Sequence, residues 1–376
     1  MTTRLGILGG GQLAQMLTQA AISLGIETVI FERGADSPAG RLTQHEIVGP
    51  WADEAALTTF AERCNLVTLE NEFVDATVLR RLEESGLPVY PGSATLAVIQ
   101  DKLFQKQRIT SAGLAAPRFR AVATPAEVAA VAEEYGWPLL LKARREGYDG
   151  YGNATLRTSV DIASAWERLS RHDRELLAEA FVPFARELAV MVVRRRDGET
   201  RTYPVVETVQ HNHICHIVRA PAPVPDHITA QATELAQRAV EAVAGVGIFG
   251  VELFLLDDGT VLYNEMAPRP HNSGHYTIEA CVTSQFENHL RAVSGWPLGS
   301  VDMRAPAAMV NILGQRNGPA RNDNLGAALA VPGAHLHIYG KREVRVGRKM
   351  GHVTALGATL EEAEAIAQRA AEFVEL

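Results

Sequence analysis

The apolar run Leu5-Gly6-Ile7-Leu8 leads directly into Gly9-Gly10-Gly11, and the residues after it place Leu13, Met16, Leu17, Ala20 and Ala21 on one face of a 3.6-residue period. A strand over 5–8, a glycine turn and a helix over 12–24 are the opening of a βαβ unit. Short apolar runs at 28–31, 66–69 and 89–90 predict further strands of the same sheet. Parallel strands need crossover helices, so the first hundred residues are expected to form a parallel sheet covered by helices.

That loop admits two readings. Gly9, Gly11 and Ala14 satisfy GxGxx(G/A), and Glu32 closes the next strand where an acidic residue could hold a ribose. Backbone N–H groups at a helix N-terminus suit an anion, as in a dinucleotide-binding dehydrogenase. The same residues also suit a tight turn that packs helix on sheet.

With 376 residues, and about 150 per domain, two or three domains are expected. A net charge of -8 speaks against an electrostatic grip on nucleic acid. Cys64, Cys215 and Cys281 are far apart and form no CxxC, which fits a reducing compartment. No signal peptide and no run of about 18 apolar residues is found, so the expectation is a cytoplasmic protein without a membrane span.

A second unit begins near Asp101-Lys102. It contains a helix over 125–135, strands over 138–142, 188–194 and 201–209, a helix over 227–243, and strands over 251–256 and 261–264 around the turn Asp257-Asp258-Gly259. The last eighty or so residues read as a smaller α+β unit, with a strand over 308–313, a basic stretch over 341–349 and a helix over 360–373.

Three features of the second unit point to chemistry. Lys142 ends a strand just before Gly147-Tyr148-Asp149-Gly150-Tyr151-Gly152, where a point charge and a pliable backbone could meet phosphates. A hairpin turn beside a solvated lysine is the alternative. Glu179-Ala180-Phe181-Val182, followed by Glu187, could offer an adenine edge and a carboxylate for ribose, or be a buried edge strand. Glu252 and Glu265 fall on strands of one hairpin amid apolar residues. Buried carboxylates are costly without a cation, and magnesium takes carboxylate and phosphate oxygens, although arginine salt bridges would also serve. The polar segment Met266-Ala-Pro-Arg269-Pro-His271-Asn272-Ser273-Gly274-His275 follows these carboxylates and reads as a site loop. His271 and His275 could suggest zinc, but no third ligand is evident. His211, His213 and Cys215 are read as one face of a polar strand, not a metal site. Arg194-Arg195-Arg196 is read as a solvated hairpin end.

Together these motifs resemble the ATP-grasp superfamily over nearly the whole chain. Gly6–Leu13, the stretch 144–150, Asn264-Glu-Met-Ala-Pro-Arg-Pro-His-Asn-Ser-Gly-His275, Ser284-Gln-Phe-Glu-Asn-His-Leu290 and Gly347-Arg-Lys-Met-Gly-His352 are similar to N5-carboxyaminoimidazole ribonucleotide synthetases. The resemblance implies α/β and α+β architecture: a Rossmann-like pre-ATP-grasp domain (1–100), an ATP-grasp domain (101–298) with a lid subdomain near 117–182, and a C-terminal α+β domain (299–376). It implies a ligase that carboxylates 5-aminoimidazole ribonucleotide with bicarbonate, ATP and Mg2+, through carboxyphosphate, in purine biosynthesis. A homodimer is also implied.

By the same resemblance, Lys102 and Lys142 contact ATP phosphates, and Gly147, Tyr148, Asp149, Gly150, Tyr151, Gly152 and Asn153 cover them. Glu179, Ala180, Phe181, Val182 and Glu187 hold adenine and ribose, with Gln210 and Asn264 as further nucleotide contacts. Glu252 and Glu265 bind magnesium. Arg269 and His271 steady bicarbonate or carboxyphosphate. Tyr148 and Asp149 flank the ribonucleotide amine. Lys341 and Arg348 take its phosphate, a use suited to a bidentate arginine. Gln12, Leu13 and Glu70 are expected as further ribonucleotide contacts. The chain departs from the family pattern at Tyr151, where a basic residue is usual, at Glu146, where a second glycine is usual, and at Ala14-Gln15, where Gly-Arg is common. Three rivals remain at this stage: a dehydrogenase, a formate-using ATP-grasp ligase, and a non-catalytic nucleotide-binding regulator.

Overall fold

The computed structural model describes residues 3–146, 152–321 and 325–376. The N-terminal unit is a four-stranded parallel sheet in the order Glu46–Val48, Glu27–Glu32, Arg4–Leu8, Leu66–Leu69. Alternation along the strands divides its core between two faces. Leu5, Ile7 and Ile30 pack with Leu13, Met16 and Leu17 of the helix Gln12–Ser23. Leu8, Val29 and Phe31 pack with Leu57 and Phe60 of the helix Glu54–Arg63. Tyr90 and Val89 were expected to form a strand; Val89 instead makes only a single bridge, to Val67.

A second, antiparallel sheet has the order Phe119–Val122, Leu176–Ala180, Leu139–Ala143, Asn153–Leu156. Helices Pro125–Tyr135 and Asp161–Leu169 supply Val128, Val131, Ile162 and Leu169 to its core. Thr124 caps the first of these helices through Glu127 N, and Pro125 occupies its first turn.

The largest sheet has nine strands. Its path runs Val261–Ala267, Gly247–Leu256, Phe184–Arg194, Val206–His211, Ile214–Ala220, Ala307–Leu313, Lys349–Leu356, Ala334–Ile338, with Thr200–Thr202 added beside Phe184–Arg194. The pairing of Ile217–Ala220 with Ala307–Val310 carries one sheet from the central segment into the last eighty residues. The helix Asp226–Ala242 covers one face, where Ile228, Ala232, Leu235 and Ala236 meet Leu188, Val190, Val251 and Leu253. Full burial of each such Val, Leu or Ile contributes roughly 1.5–3 kcal/mol over exposure.

Three local expectations change. The strand read at 201–209 is two strands, interrupted after Thr202 and resumed at Val206. His211 and His213 do not share a strand face, because Asn212 and His213 form a turn at φ 52 and 63 that reverses the chain into Ile214–Ala220. The arginine run is only partly solvated: Arg194 and Arg196 donate to the carbonyls of Gly245 and Ser294.

Candidate active site

The hairpin Gly247–Leu256/Val261–Ala267 places Glu252 directly opposite Glu265. A register shift after Glu252 makes Asn264 the extra residue of a bulge, so its amide also reaches Glu252, at 3.4 Å. Across the other edge, Glu252 pairs with Ala189, and Glu187, two residues before Ala189, points to the same face. Three carboxylates thus converge. Burial, reinforced by Glu265 and Glu187, pushes Glu252 up to about 8. Burial raises Glu187 to about 7 despite a hydrogen bond from Gln210. Burial also acts on Glu265, but Lys102, Lys142 and Lys106 outweigh it and hold that carboxyl below its ordinary value.

The lysines come from two elements. Asp101 caps the helix Lys102–Ser111 through Leu103 N and receives both Nε and Nη2 of Arg144. On that helix Lys102 and Lys106 lie four residues apart, hence on one face. Lys102 forms an ion pair with Glu265. Lys142 donates to Glu179 Oε1 at 2.8 Å, and Lys106 Nζ lies 2.7 Å from Oε2 without an aligned hydrogen bond. Glu179 is fully buried, and the two lysines hold its carboxyl down at about 2 against the opposing effect of burial. The carboxylate expected near adenine and ribose is thus engaged by lysines, and Phe181 beside it is exposed.

The first glycine loop is filled by the protein itself. Glu70 accepts from Gly11 N at 2.9 Å and Ala14 N at 3.2 Å, and Glu32 accepts from Gly10 N at 2.7 Å. The backbone donors that a dinucleotide pyrophosphate would need are occupied. Glu70, expected as a ribonucleotide contact, spends its carboxylate on the helix N-terminus. It still borders, with Gln12 and Leu13, a cleft of about 770 Å³. Lys102, Glu252, Glu265, Arg269, His271, Lys341 and Arg348 line the same cleft.

Arg269 reaches Glu72 with two nitrogens, Nη2 at 2.9 Å, a fork that joins the central loop to the N-terminal unit. His271 Nε2 lies 3.5 Å from Glu252 Oε1, and its backbone N and O are both bonded to the Gln285 amide. A Cβ on Gly250 would come within 2.4 Å of His271, so only glycine lets this loop lie on the strand. His275 turns inward, away from any zinc-like pairing with His271. It is fully buried, meets Gln285 Nε2 at 3.1 Å and lies 4.9 Å from the His352 ring. Lys341 donates to the Lys349 carbonyl at 2.6 Å and Arg348 to the Glu343 carbonyl at 2.8 Å.

Gly147, Tyr148, Asp149, Gly150 and Tyr151 lie outside the described residues. Of the rest of that loop, Gly152 accepts from Ala143 N, and Asn153 Oδ1 is buried without a hydrogen-bond partner among the described residues. Lys106, Glu72 and Gln285 were not anticipated as site residues. The four-residue spacing of Lys102 and Lys106 was the available signal for the first, and membership of the motif 284–290 for Gln285; Glu72 carries none, because its partner Arg269 is remote in sequence.

Residues 1–100 match the ribonucleotide synthetase preATP-grasp domain, 107–286 the ATP-grasp domain, and 307–366 the phosphoribosylaminoimidazole carboxylase C-terminal domain. The N5-carboxyaminoimidazole ribonucleotide synthase of Synechococcus elongatus is 43% identical over 93% of this chain and 88% of its own length. The phosphoribosylaminoimidazole carboxylase of Schizosaccharomyces pombe is 44% identical over 96% of this chain, which spans 66% of that longer protein. A crystal structure of N5-carboxyaminoimidazole synthase from Aspergillus clavatus, in complex with ADP and 5-aminoimidazole ribonucleotide, superposes with a TM-score of 0.91 at 39% identity, covering 99% of this chain and 98% of the other.

Proposed function

The chain belongs to the N5-carboxyaminoimidazole ribonucleotide synthase family of ATP-grasp ligases, and from that premise we propose that its cleft carboxylates the amine of 5-aminoimidazole ribonucleotide, with bicarbonate as the carbon source and ATP as the activator. The observation that carries the reading is the convergence of Glu187, Glu252 and Glu265 against Lys102 in one partly buried cleft. Such a cluster is unfavourable alone and suits a hard divalent cation together with phosphate oxygens.

Glu252 and Glu265 would hold Mg2+, whose bound charge would neutralise the triphosphate. Lys102 and Lys142 bring fixed cations to the phosphates, so positioning and charge stabilisation accompany phosphoryl transfer. Bicarbonate is a poor electrophile; an oxygen of it attacks the γ-phosphorus, and ADP leaves. The resulting carboxyphosphate breaks its C–O bond to give CO2 and phosphate. The amine nitrogen bonds to the CO2 carbon and loses a proton, giving the carbamate. On this reading Arg269 and His271 hold the anion, and Lys341 and Arg348 hold the ribonucleotide phosphate. Tyr148 and Asp149 flank the amine on this reading. A homodimer in the cytoplasm completes the proposal.

The test is ADP release by the pure protein with magnesium, ATP and bicarbonate, with and without 5-aminoimidazole ribonucleotide. Release that depends on the ribonucleotide and consumes it is expected. Release that depends on formate instead of bicarbonate would transfer the chain to formyl-transfer chemistry.

A further inference from the structure

Glu179 has two cations where one would neutralise it. Its carboxylate is fully buried, with Lys142 Nζ at 2.8 Å from one oxygen and Lys106 Nζ at 2.7 Å from the other. The two lysines differ in surroundings. Lys106 is 2% exposed and also donates to the Asn264 carbonyl at 3.2 Å, which ties it to the strand that carries Glu265. Lys142 is 8% exposed and stands at the end of a strand that leads into the loop 147–152. Burial depresses Lys106, and Glu179 counteracts this.

We infer that Lys106 is a positioning residue of the nucleotide site: it is the permanent counter-charge of Glu179, and it frees Lys142 to turn its ammonium toward ATP phosphate. An ammonium has three donors and can keep one on Glu179 while offering others elsewhere. With Lys142 as sole partner, Glu179 would hold it back, because parting them would leave a bare buried carboxylate. A second cation removes that penalty. Lys106 lies one helical turn from Lys102, whose partner is Glu265, so a single helix brings one cation to each of two carboxylates of the site.

The inference rests on the nucleotide reading above, and the test separates the two. Mg-ADP binding to the full-length protein is measured by calorimetry, and KM is measured for ATP and for the ribonucleotide. Failure of the wild type to bind Mg-ADP would remove the underlying reading. Given wild-type binding, Lys106→Met is expected to weaken Mg-ADP and raise KM for ATP at least tenfold, with KM for the ribonucleotide within twofold. Adding Glu179→Gln to Lys106→Met is expected to restore part of the affinity, since Lys142 is then released. Unchanged ADP affinity in a folded Lys106→Met, equal losses for both substrates, or a double variant weaker than Lys106→Met would each overturn the inference. Should Lys106→Met not fold, Glu179→Gln is compared with Lys106→Met/Glu179→Gln. With Glu179 neutral, Lys106 has no charge to balance, and affinities within twofold are expected. A tenfold further loss would overturn the inference.

Discussion

Glu252 and Glu265 face each other across one strand pair, yet among the described residues Lys102 forms its ion pair with Glu265 and not with Glu252. One carboxyl is consequently held below its ordinary value and the other is pushed up to about 8. The pair is asymmetric before any ligand arrives, and the two substitutions at these positions should differ. Glu265→Gln is expected to lower turnover by about two to three orders of magnitude, the range for losing one oriented electrostatic group. Glu252→Gln should lose turnover as well, but in EDTA at pH 8.5 it should melt higher than the wild type. Its removal relieves repulsion, and about 1 kcal/mol corresponds to roughly 1–2 °C in a chain of this length. Scanning calorimetry with and without Mg2+ reads both effects.

The same carboxylates set a pH dependence of stability. Glu187 and Glu252 are raised above the usual carboxylate value, to about 7 and about 8. The folded state therefore retains their protons where the unfolded state has lost them. Their contribution is complete below the ordinary carboxylate value of about 4.5 and is lost as pH rises through 7 and 8. Denaturant midpoints of the metal-free protein should fall between pH 7 and 9, and Glu187→Gln/Glu252→Gln should flatten that slope. His275 and His352 are depressed by burial, so their contribution is present above the ordinary histidine value and is lost as pH falls below it. Above pH 7 the contribution of these histidines is constant, and the double variant separates the two carboxylates from the remaining groups.

Glu70 occupies a helix N-terminus that would otherwise attract an anion. Glu70→Ala should destabilise the protein by about 0.5–2 kcal/mol, the cost of a lost cap. Inorganic phosphate should then raise the melting temperature of this variant more than that of the wild type. Equal shifts would show that the vacated backbone donors do not bind anions.

The fork between Glu72 and Arg269 is a positioning contact between two units. Glu72→Ala should lower kcat by roughly 10- to 100-fold through misplacement of the guanidinium, since small displacements in a site carry such losses. KM for ATP should stay within twofold. Steady-state kinetics checks this, and a rise in the ATP KM alone would assign Glu72 to the nucleotide side instead.

Much of the site could be read in the sequence because local spacing encodes it. A strand, three glycines and an apolar helix face define the first unit, and Glu252 and Glu265 are legible as two carboxylates of one hairpin, but regular alternation would set Asn264 opposite Glu252, and only the bulge at Asn264 turns Glu265 to that face. What spacing does not encode is the partner of a polar side chain. Nothing near Glu179 announces that Lys106, far back along the chain, takes one of its oxygens, or that Glu70 closes the loop at Gly11. The histidines at 211 and 213 misled for a related reason. Alternation assumes an extended backbone, and two consecutive residues at positive φ end that assumption. Lys349–Leu356 was hidden because its basic approach reads as solvated surface, whereas the strand itself is mostly buried.

The nine-stranded sheet also bears on the reach of the site. From the strand of Glu252 to that of Lys349 are five strand-to-strand steps, on the order of 24 Å at about 4.8 Å each. Yet both residues line one cleft, and the ammonium of Lys349 offsets a part of the upward push on the Glu252 carboxyl. The cleft therefore spans several strands, and their spacing sets the distance between its two ends. Gly351, in the strand Lys349–Leu356, has room for no Cβ, which would lie 2.4 Å from the His337 carbonyl. Anything that shifts this strand would change the gauge between the two ends of the cleft, so the site can be lost with every lining residue still in place.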